Sequence, residues 1–199
     1  MGKEKADSVI ESIRKALRAG NKSGGGGGMP DELFFVPKDG VKVVRFLSDL
    51  NSPINVVMHN KWNEFMPQPC LRYYGKKCPF HNGGGYKAVT QYCYTIWDYE
   101  SKSKRVASFP PTSNSPMEDL MEIWNDNGNI TDRDVKIIRV VGSDGKSHYK
   151  AREVQHESTE FEGSKRNPFS EEKVLQILKG LIRVVKPLAK EDADEDDDD

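Results

Sequence analysis

The chain has 199 residues, of which 36% are hydrophobic and 31% are charged, enough for one domain with its own core plus appendages. No run of about 18 apolar residues occurs, which excludes a membrane-spanning helix. The net charge is −1, but eight of the acids lie in the last nine residues, and removing them changes it to +7. A basic body with an acidic end is typical of proteins that bind nucleic acid.

The first predicted element is a short N-terminal helix. Apolar residues recur at helical spacing over positions 7–19, and they are Val9, Ile10, Ile13 and Leu17. Five glycines, Gly24 to Gly28, then form a flexible tether. The helix is short for independent stability, so its apolar side needs a partner, either the body of the chain or a neighbouring molecule. The predicted parts are a self-interaction segment at 1–23, a linker at 24–28, a folded core at 29–186 and a disordered acidic tail at 187–199.

Runs of β-branched and aromatic residues between polar turns predict about seven strands in the body. These cover residues 34–37, 41–47, 54–59, 87–99, 105–109, 134–141 and 147–154. One helix is expected to have Ser115 as its N-cap and Pro116 in its first turn, and to stop at Gly128. A last helix is capped by Ser170, packs on the body through a wide apolar surface and ends at Pro187. The expected fold class is mainly β with flanking helices.

The strand at 87–99 is the richest in aromatic and β-branched residues. Side chains alternate between the two faces of a strand, so Tyr92 and Tyr94 share one face with Ile96. Cys93 and Trp97 point to the other face. The sequence leaves open which face is buried, and it predicts Cys93 as a small core residue.

Two cysteines and two histidines cluster between positions 59 and 81. Ten residues separate His59 from Cys70, seven separate Cys70 from Cys78, and two separate Cys78 from His81. Thiolate and imidazole are the donors that zinc prefers at tetrahedral corners. The pattern predicts one structural Zn²⁺ on these four residues, the alternative being two ordinary buried cysteines and two unrelated histidines. With two of the three cysteines used as ligands and no signal-peptide pattern, we expect a reducing cytoplasm without disulfides.

The segment 61–105 around this cluster combines cations with aromatic rings. It holds eight Lys or Arg against three acids, and ten of the eighteen aromatic residues of the chain. Proteins that bind single-stranded nucleic acid use cations to follow the phosphate backbone and aromatic rings on which bases stack. We expect about half of the rings in this segment to be core instead. The candidate contacts are Lys61, Trp62, Arg72, Tyr73, Tyr74, Lys76, Lys77, Lys87, Tyr92, Tyr94, Trp97, Tyr99, Lys102, Lys104 and Arg105.

The order of these parts resembles the single-stranded DNA-binding, helix-destabilising proteins of T-even bacteriophages and their relatives. That family holds zinc through one His followed by three Cys; His59, Cys70 and Cys78 match the first three positions, and His81 stands at the fourth. The strand Tyr92 to Asp98 is similar to the family's strand after the metal site. The resemblance implies an OB-fold barrel with a zinc-binding insertion. The predicted strand count permits that barrel and other small barrels.

The resemblance also implies a function in phage DNA replication, recombination and repair, in the cytoplasm of the infected bacterial host. The protein would coat single-stranded DNA, self-associate along it, and have no contact with a membrane. Its acidic tail would bind replication proteins, such as a polymerase, a helicase loader or recombination factors. The tail would also occupy the DNA groove when DNA is absent. The tail residues concerned are Asp194, Glu195, Asp196, Asp197, Asp198 and Asp199.

Two rival functions follow from the same residues. His81-Asn82 beside Cys78 is faintly similar to metal-dependent nucleases of the HNH kind, but the next histidine, His148, lies 67 residues later in a predicted hairpin. We therefore predict no enzymatic activity. A zinc-containing regulator that binds double-stranded DNA would need a recognition helix rich in basic or amide side chains, whereas the first predicted helix is acidic and the last is apolar. RNA remains open, because stacking surfaces accept either sugar.

Overall fold

The computed structural model describes residues 30–61, 65–81, 87–143, 145–155 and 167–182. The predicted N-terminal helix, the glycine tether and the acidic tail lie outside the described residues. Among the described helices, none combines the length and the apolar composition needed to cross a bilayer.

Seven antiparallel strands form one sheet in the described residues, in the order β3-β2-β4-β1-β6-β7, with β5 on β4. The strands are β1 (Val41–Phe46), β2 (Ile54–Lys61), β3 (Phe65–Pro69), β4 (Lys87–Asp98), β5 (Ser103–Phe109), β6 (Asp134–Val141) and β7 (Ser147–Val154). Six of them match predicted strands within a few residues. The mainly β fold class is therefore confirmed.

The long strand β4 organises this sheet. Tyr92 pairs with Asn55 of β2 on one side and with Phe109 of β5 on the other. Farther along the strand, Ile96 pairs with Phe46 of β1. Strands β1 and β2 therefore follow one another along the same edge of β4, and β5 occupies the opposite edge.

The predicted strand at 34–37 is wrong. In its place a single parallel bridge joins Leu33 to Val106 of β5. The N–H of Phe34 also donates to the carbonyl oxygen of Val106, at 2.9 Å. Pro37 has no N–H for a ladder, and a turn follows it at once, so the pairing does not extend.

Strand β3 was not predicted, because its five residues include Pro67 and Pro69. Proline interrupts a ladder in the middle of a sheet but is tolerated on an edge strand. Among the described strands β3 pairs with β2 alone, where His59 lies opposite Gln68. This hairpin positions the first two candidate ligands.

From Cys93 to Asp98 both faces of β4 are buried, and its two faces contribute to different cores. Tyr94 and Ile96 point into the larger core. Cys93 points into a second core, which is covered by the helix α2 (Glu171–Lys179). The other members of the larger core include Val44, Phe46, Leu50, Leu120, Ile130, Val135 and Ile137. The second core also contains Val56, Met58, Val106, Val174, Ile177 and Leu178.

The helix α1 (Met117–Asn127) forms as expected, but its start differs. Pro116 stands at the N-cap position, and no side chain caps the helix there. Among the described residues the buried hydroxyl of Ser115 has no hydrogen-bond partner, so the predicted N-cap at Ser115 is wrong. Gly128 ends the helix in the left-handed conformation, as predicted.

The last helix is shorter than predicted. Ser170 caps it, since its side chain accepts the N–H of Lys173, but the helix ends at Lys179 rather than at Pro187. Gly180 follows, and a Cβ built there would lie 2.6 Å from Cγ of Pro30. The chain thus turns where the glycine packs against Pro30.

Candidate metal centre

The β2–β3 hairpin brings the first two ligands together. Met58 pairs with Pro69 near the end of β3, and the N–H of Cys70 donates to the carbonyl oxygen of Val57 at 2.9 Å. Cys70 therefore leaves the hairpin beside His59. Ten residues lie between the two ligands in sequence, and the antiparallel pairing closes that gap.

Two 3₁₀ turns return the chain to the hairpin, one at Leu71–Tyr74 and one at Pro79–His81. Gly75 ends the first turn at a φ of 69°, and its N–H donates to the carbonyl oxygen of Arg72 at 3.1 Å. A side chain at this φ would strain the backbone. In the second turn the N–H of His81 approaches the carbonyl oxygen of Cys78 at 3.5 Å, so both ligands face the hairpin.

The four donor atoms form one compact cluster. The Sγ of Cys70 lies 3.2 Å from Nε2 of His81, and the Sγ of Cys78 lies 3.3 Å from Nε2 of His59. All four atoms lie within 4.8 Å of one another. Zinc binds sulfur at about 2.3 Å and nitrogen at about 2.0–2.1 Å, so tetrahedral donors on one ion lie roughly 3.3–3.8 Å apart, close to the shortest spacings of this cluster. The predicted ligand set therefore comes together and could hold one metal ion.

Burial sets the charge of the donors. His59, Cys70 and Cys78 are buried, whereas His81 is exposed. Burial, with the neighbouring His81 and Arg72, lowers the pKa of His59, which favours the neutral imidazole that binds metals. Burial raises the pKa of Cys70, so a bound cation would have to stabilise its thiolate.

The ring of Phe80 closes one side of the cluster. Its centroid lies 5.3 Å from that of His59, and it packs with Cys70 and Cys78. Sequence analysis missed this residue, although an aromatic residue inside the short Cys78-x-x-His81 segment was an available signal. With four protein donors no coordination position is left for a substrate, so the arrangement suits a structural ion rather than a catalytic one.

Several predicted nucleic-acid contacts lie exposed on the same loops. Arg72, Lys76 and Lys77 project to solvent, as does Lys87 at the start of β4. The ring of Tyr73 is 40% exposed, while its hydroxyl accepts the N–H of Val57 at 3.0 Å. The loops that the four donors bring together thus carry three exposed cations and one accessible ring, and Lys87 adds a fourth cation at the start of β4.

Tyr74 packs between this loop and α2. Its hydroxyl donates to the carbonyl oxygen of Leu175 at 2.7 Å, and the ammonium of Lys179 lies 5.9 Å from its ring centroid. Burial raises the pKa of Tyr74 to about 12. Tyr74 therefore connects the first 3₁₀ turn to α2 and is only partly accessible.

The aromatic residues of β4 are mostly core. Tyr94 is 1% exposed, and its hydroxyl donates to the carbonyl oxygen of Leu50 at 3.2 Å. Trp97 is buried beside Leu47, and Tyr92 packs half-buried against the larger core. The assignment of Tyr94 and Trp97 to the nucleic-acid surface is therefore corrected, because neither ring presents a free face.

Three of the four remaining described contacts interact with other residues of the fold. The hydroxyl of half-buried Tyr99 donates to Oδ1 of Asp134 at 2.7 Å. Nζ of Lys104 lies 5.2 Å from the ring centroid of Phe169. Nε of Arg105 lies 3.7 Å from a carboxylate oxygen of the buried Asp98. Lys102 is exposed in the β4–β5 turn. Trp62, the Lys61 side chain and the tail residues 194–199 lie outside the described residues.

Comparisons with protein-family models, with curated proteins and with solved structures find no match to this chain.

Proposed function

We propose that this protein binds single-stranded DNA without regard to base sequence, and that a structural zinc ion shapes the binding surface. One observation carries the proposal: the loops tied together by the four donors also bear Arg72, Lys76 and Lys77. Among the described residues, none of these three cations forms an ion pair with a carboxylate. Unpaired cations on a rigid loop are available to phosphates.

In this mechanism the loop cations follow the phosphate backbone, and Tyr73 offers the exposed ring on which a base stacks. Stacking on an aromatic ring contributes roughly 1–3 kcal/mol per base and is insensitive to base identity. The zinc ion would be held by Cys70, Cys78, His59 and His81 and would pin both 3₁₀ turns to β2. When bound, the ion would neutralise the charge of the Cys70 and Cys78 thiolates.

The finer fold that we propose is an OB-fold barrel with the zinc segment as its insertion. The succession of β1 and β2 along one edge of β4, with β5 on the other, supports this interpretation. The charge segregation of the sequence and the resemblance to T-even phage proteins support the wider role. In that role the protein coats DNA strands during phage replication, recombination and repair in the host cytoplasm, and the tail binds replication proteins.

The test is a titration of the intrinsic Tyr and Trp fluorescence with oligo-dT at two salt concentrations, beside a duplex and an oligo-U control. We expect quenching by oligo-dT that is lost at high salt, because phosphate contacts release counterions. No quenching, or equal binding of the duplex, would contradict the proposal. Preference for oligo-U would favour an RNA-binding regulator instead.

A matched pair of variants locates the surface. Lys76→Gln combined with Lys77→Gln should lower the slope of log affinity against log salt by about 1.4, since each lost single-strand phosphate contact contributes about 0.7. Lys38→Gln combined with Lys173→Gln removes the same charge elsewhere, from the exposed Lys38 and from the half-buried Lys173 that pairs with Glu32, and should leave the slope unchanged. Equal slopes for the two double variants would show that the loop cations do not contact DNA.

A further inference from the structure

The outer face of the β1–β6–β7 part of the sheet has no function in the proposal above. Cα partners on neighbouring strands point to the same side, and Val43 pairs with Lys136, which pairs with Arg152. In the next row, Ile138 pairs with Lys150. Because side chains alternate along a strand, all these residues point away from the larger core. We call this surface the β1–β6–β7 outer face; its other members include Val41, Val140 and His148.

This face is partly open to solvent in the part of the chain that the structure describes, and Val43, Lys136, Ile138 and His148 on it are half-buried. Val41 is 45% and Val140 is 46% exposed, and Lys150 and Arg152 are exposed as well. By contrast, α2 covers the second core around Cys93 of β4. None of the described elements buries the apolar positions of the β1–β6–β7 outer face in a core cluster.

The charged side chains on this face are mostly cationic. Lys136, Lys150 and Arg152 make no ion pair with a described carboxylate. Along these strands the face contains one carboxylate, Asp134, which is buried and already bonded to Nε of Arg45 at 2.8 Å. Within the part of the chain that the structure describes, Asp134 thus neutralises Arg45, and the other three cations are available to a polyanion.

The cations lie close enough to act together. Neighbouring strands are about 4.8 Å apart, and residues two apart on one strand are about 6.7 Å apart. Lys136 and Arg152 are cross-strand partners, and Lys150 is two residues from Arg152. Apolar side chains of Ile138 and Val140 lie beside them on β6. This surface offers a positive row for a polyanion and a flat apolar strip for the rings that the polyanion carries.

We propose that the β1–β6–β7 outer face is a second contact surface for single-stranded nucleic acid, separate from the loops of the metal centre. Charge complementarity selects this occupant over a second copy of the chain. A two-fold contact between copies would place Lys136, Lys150 and Arg152 against the same cations of the partner. The inference rests on the proposed DNA-binding function, because it assigns the same ligand to a second surface.

Position-specific photo-crosslinking tests where the strand lies. The full-length protein would carry p-benzoylphenylalanine at Val140 in one variant and at Met121 in the other. Met121 is 40% exposed on α1 and is a control of matched exposure and character. We expect labelled oligo-dT to crosslink at position 140 and not at position 121.

Charge variants give an independent readout. Lys150→Gln combined with Arg152→Gln should lower the salt slope for oligo-dT by about 1.4, whereas Lys173→Gln on α2, where the ammonium pairs with Glu32 at 3.3 Å, should not change it. If the wild-type protein binds oligo-dT but neither the crosslink nor the slope change appears, the second surface is overturned and the proposed function stands. A crosslink at position 140 to a second protein chain would overturn it in favour of self-association. Failure of the wild type to bind oligo-dT would overturn both.

Discussion

At the scale of single residues, burial shifts the pKa values of two metal ligands in opposite directions. It lowers the pKa of His59 and raises that of Cys70, so both groups are neutral near neutral pH when no ion is bound. A metal ion binds the neutral imidazole of His59 directly. It displaces the proton of the Cys70 thiol, because the ion is the largest charge in the site and stabilises the thiolate. Binding of a metal ion is therefore coupled to the protonation of His59 and Cys70, which are buried.

The first prediction concerns the ligand Cys78. Cys78→Ser removes one sulfur donor and should lower zinc affinity at least about 100-fold, since even residues that only support a ligand cost 10–100-fold. Zinc per chain, measured by elemental analysis after dialysis against a competing chelator, checks this. Cys93→Ala is the matched control, because Cys93 is also buried but belongs to the second core. Equal zinc loss in the two variants would place the ion elsewhere.

The second prediction separates an exposed tyrosine from a core tyrosine. Tyr73→Ala removes an accessible ring and should weaken oligo-dT binding by roughly 1–3 kcal/mol. Tyr94→Phe deletes the hydroxyl bonded to Leu50 and should cost about 1 kcal/mol in the free energy of unfolding, with unchanged DNA affinity. Urea unfolding and the fluorescence titration measure the two effects. Loss of DNA affinity in Tyr94→Phe alone would reverse the assignment of the rings.

At the scale of elements, the metal centre depends on a hairpin followed by two tight turns. Strand β3 is short and carries two prolines, so its own ladder is weak. The turns that follow bury only Phe80. Elements with so few buried apolar contacts open easily, and an ion that joins β2 to both turns would supply the missing stabilisation.

The third prediction uses the left-handed glycine of this region. Gly75→Ala should cost roughly 1–2 kcal/mol, because an alanine at φ 69° is strained although no atom lies within 4 Å of its Cβ. Gly128→Ala is an unusually close control, with the same φ and the same open space at the end of α1. Both variants should lose similar stability with zinc bound. Only Gly75→Ala should also weaken zinc binding, which chelator competition measures. An equal change of zinc affinity in both variants would show that the turn at Gly75 does not contribute to the metal site.

At the scale of the whole molecule, the segregation of charge is the dominant feature. The body carries a net charge of +7 and the last nine residues carry eight acids. Cationic residues occupy two separate described surfaces, the loops around Lys76 and the outer face around Lys150. A polyanionic segment of the same chain competes with a nucleic acid for such surfaces, and salt screens both interactions.

The fourth prediction follows from that competition. Deleting residues 191–199 should tighten oligo-dT binding at low salt and change it little at high salt, because the Debye length shortens to about 3 Å at 1 M salt. A tail of the same length with its acids replaced by Asn and Gln should behave like the deletion if charge is the cause. Unchanged affinity in both proteins would remove the autoinhibition hypothesis.

Local sequence patterns were sufficient for six of the seven described strands and for the ligand set. The alternation in 134–154 predicts the hairpin of β6 and β7, and a short spacing of soft donors predicts the cluster at 59–81. These signals depend on residues that are neighbours along the chain. Strand β3 escaped prediction because Pro67 and Pro69 oppose the strand conformation locally, and only the pairing with β2 overcomes them.

The sequence by itself thus determined the strand pattern, the four donors and the segregation of charge, since each is a property of adjacent residues. The tertiary structure alone decided which rings are available. Tyr94 and Trp97 point to opposite faces of β4, but the larger core buries Tyr94 and a contact with Leu47 buries Trp97. It also decided that Lys136, Lys150 and Arg152 share one open face, because strand register sets which distant residues become neighbours.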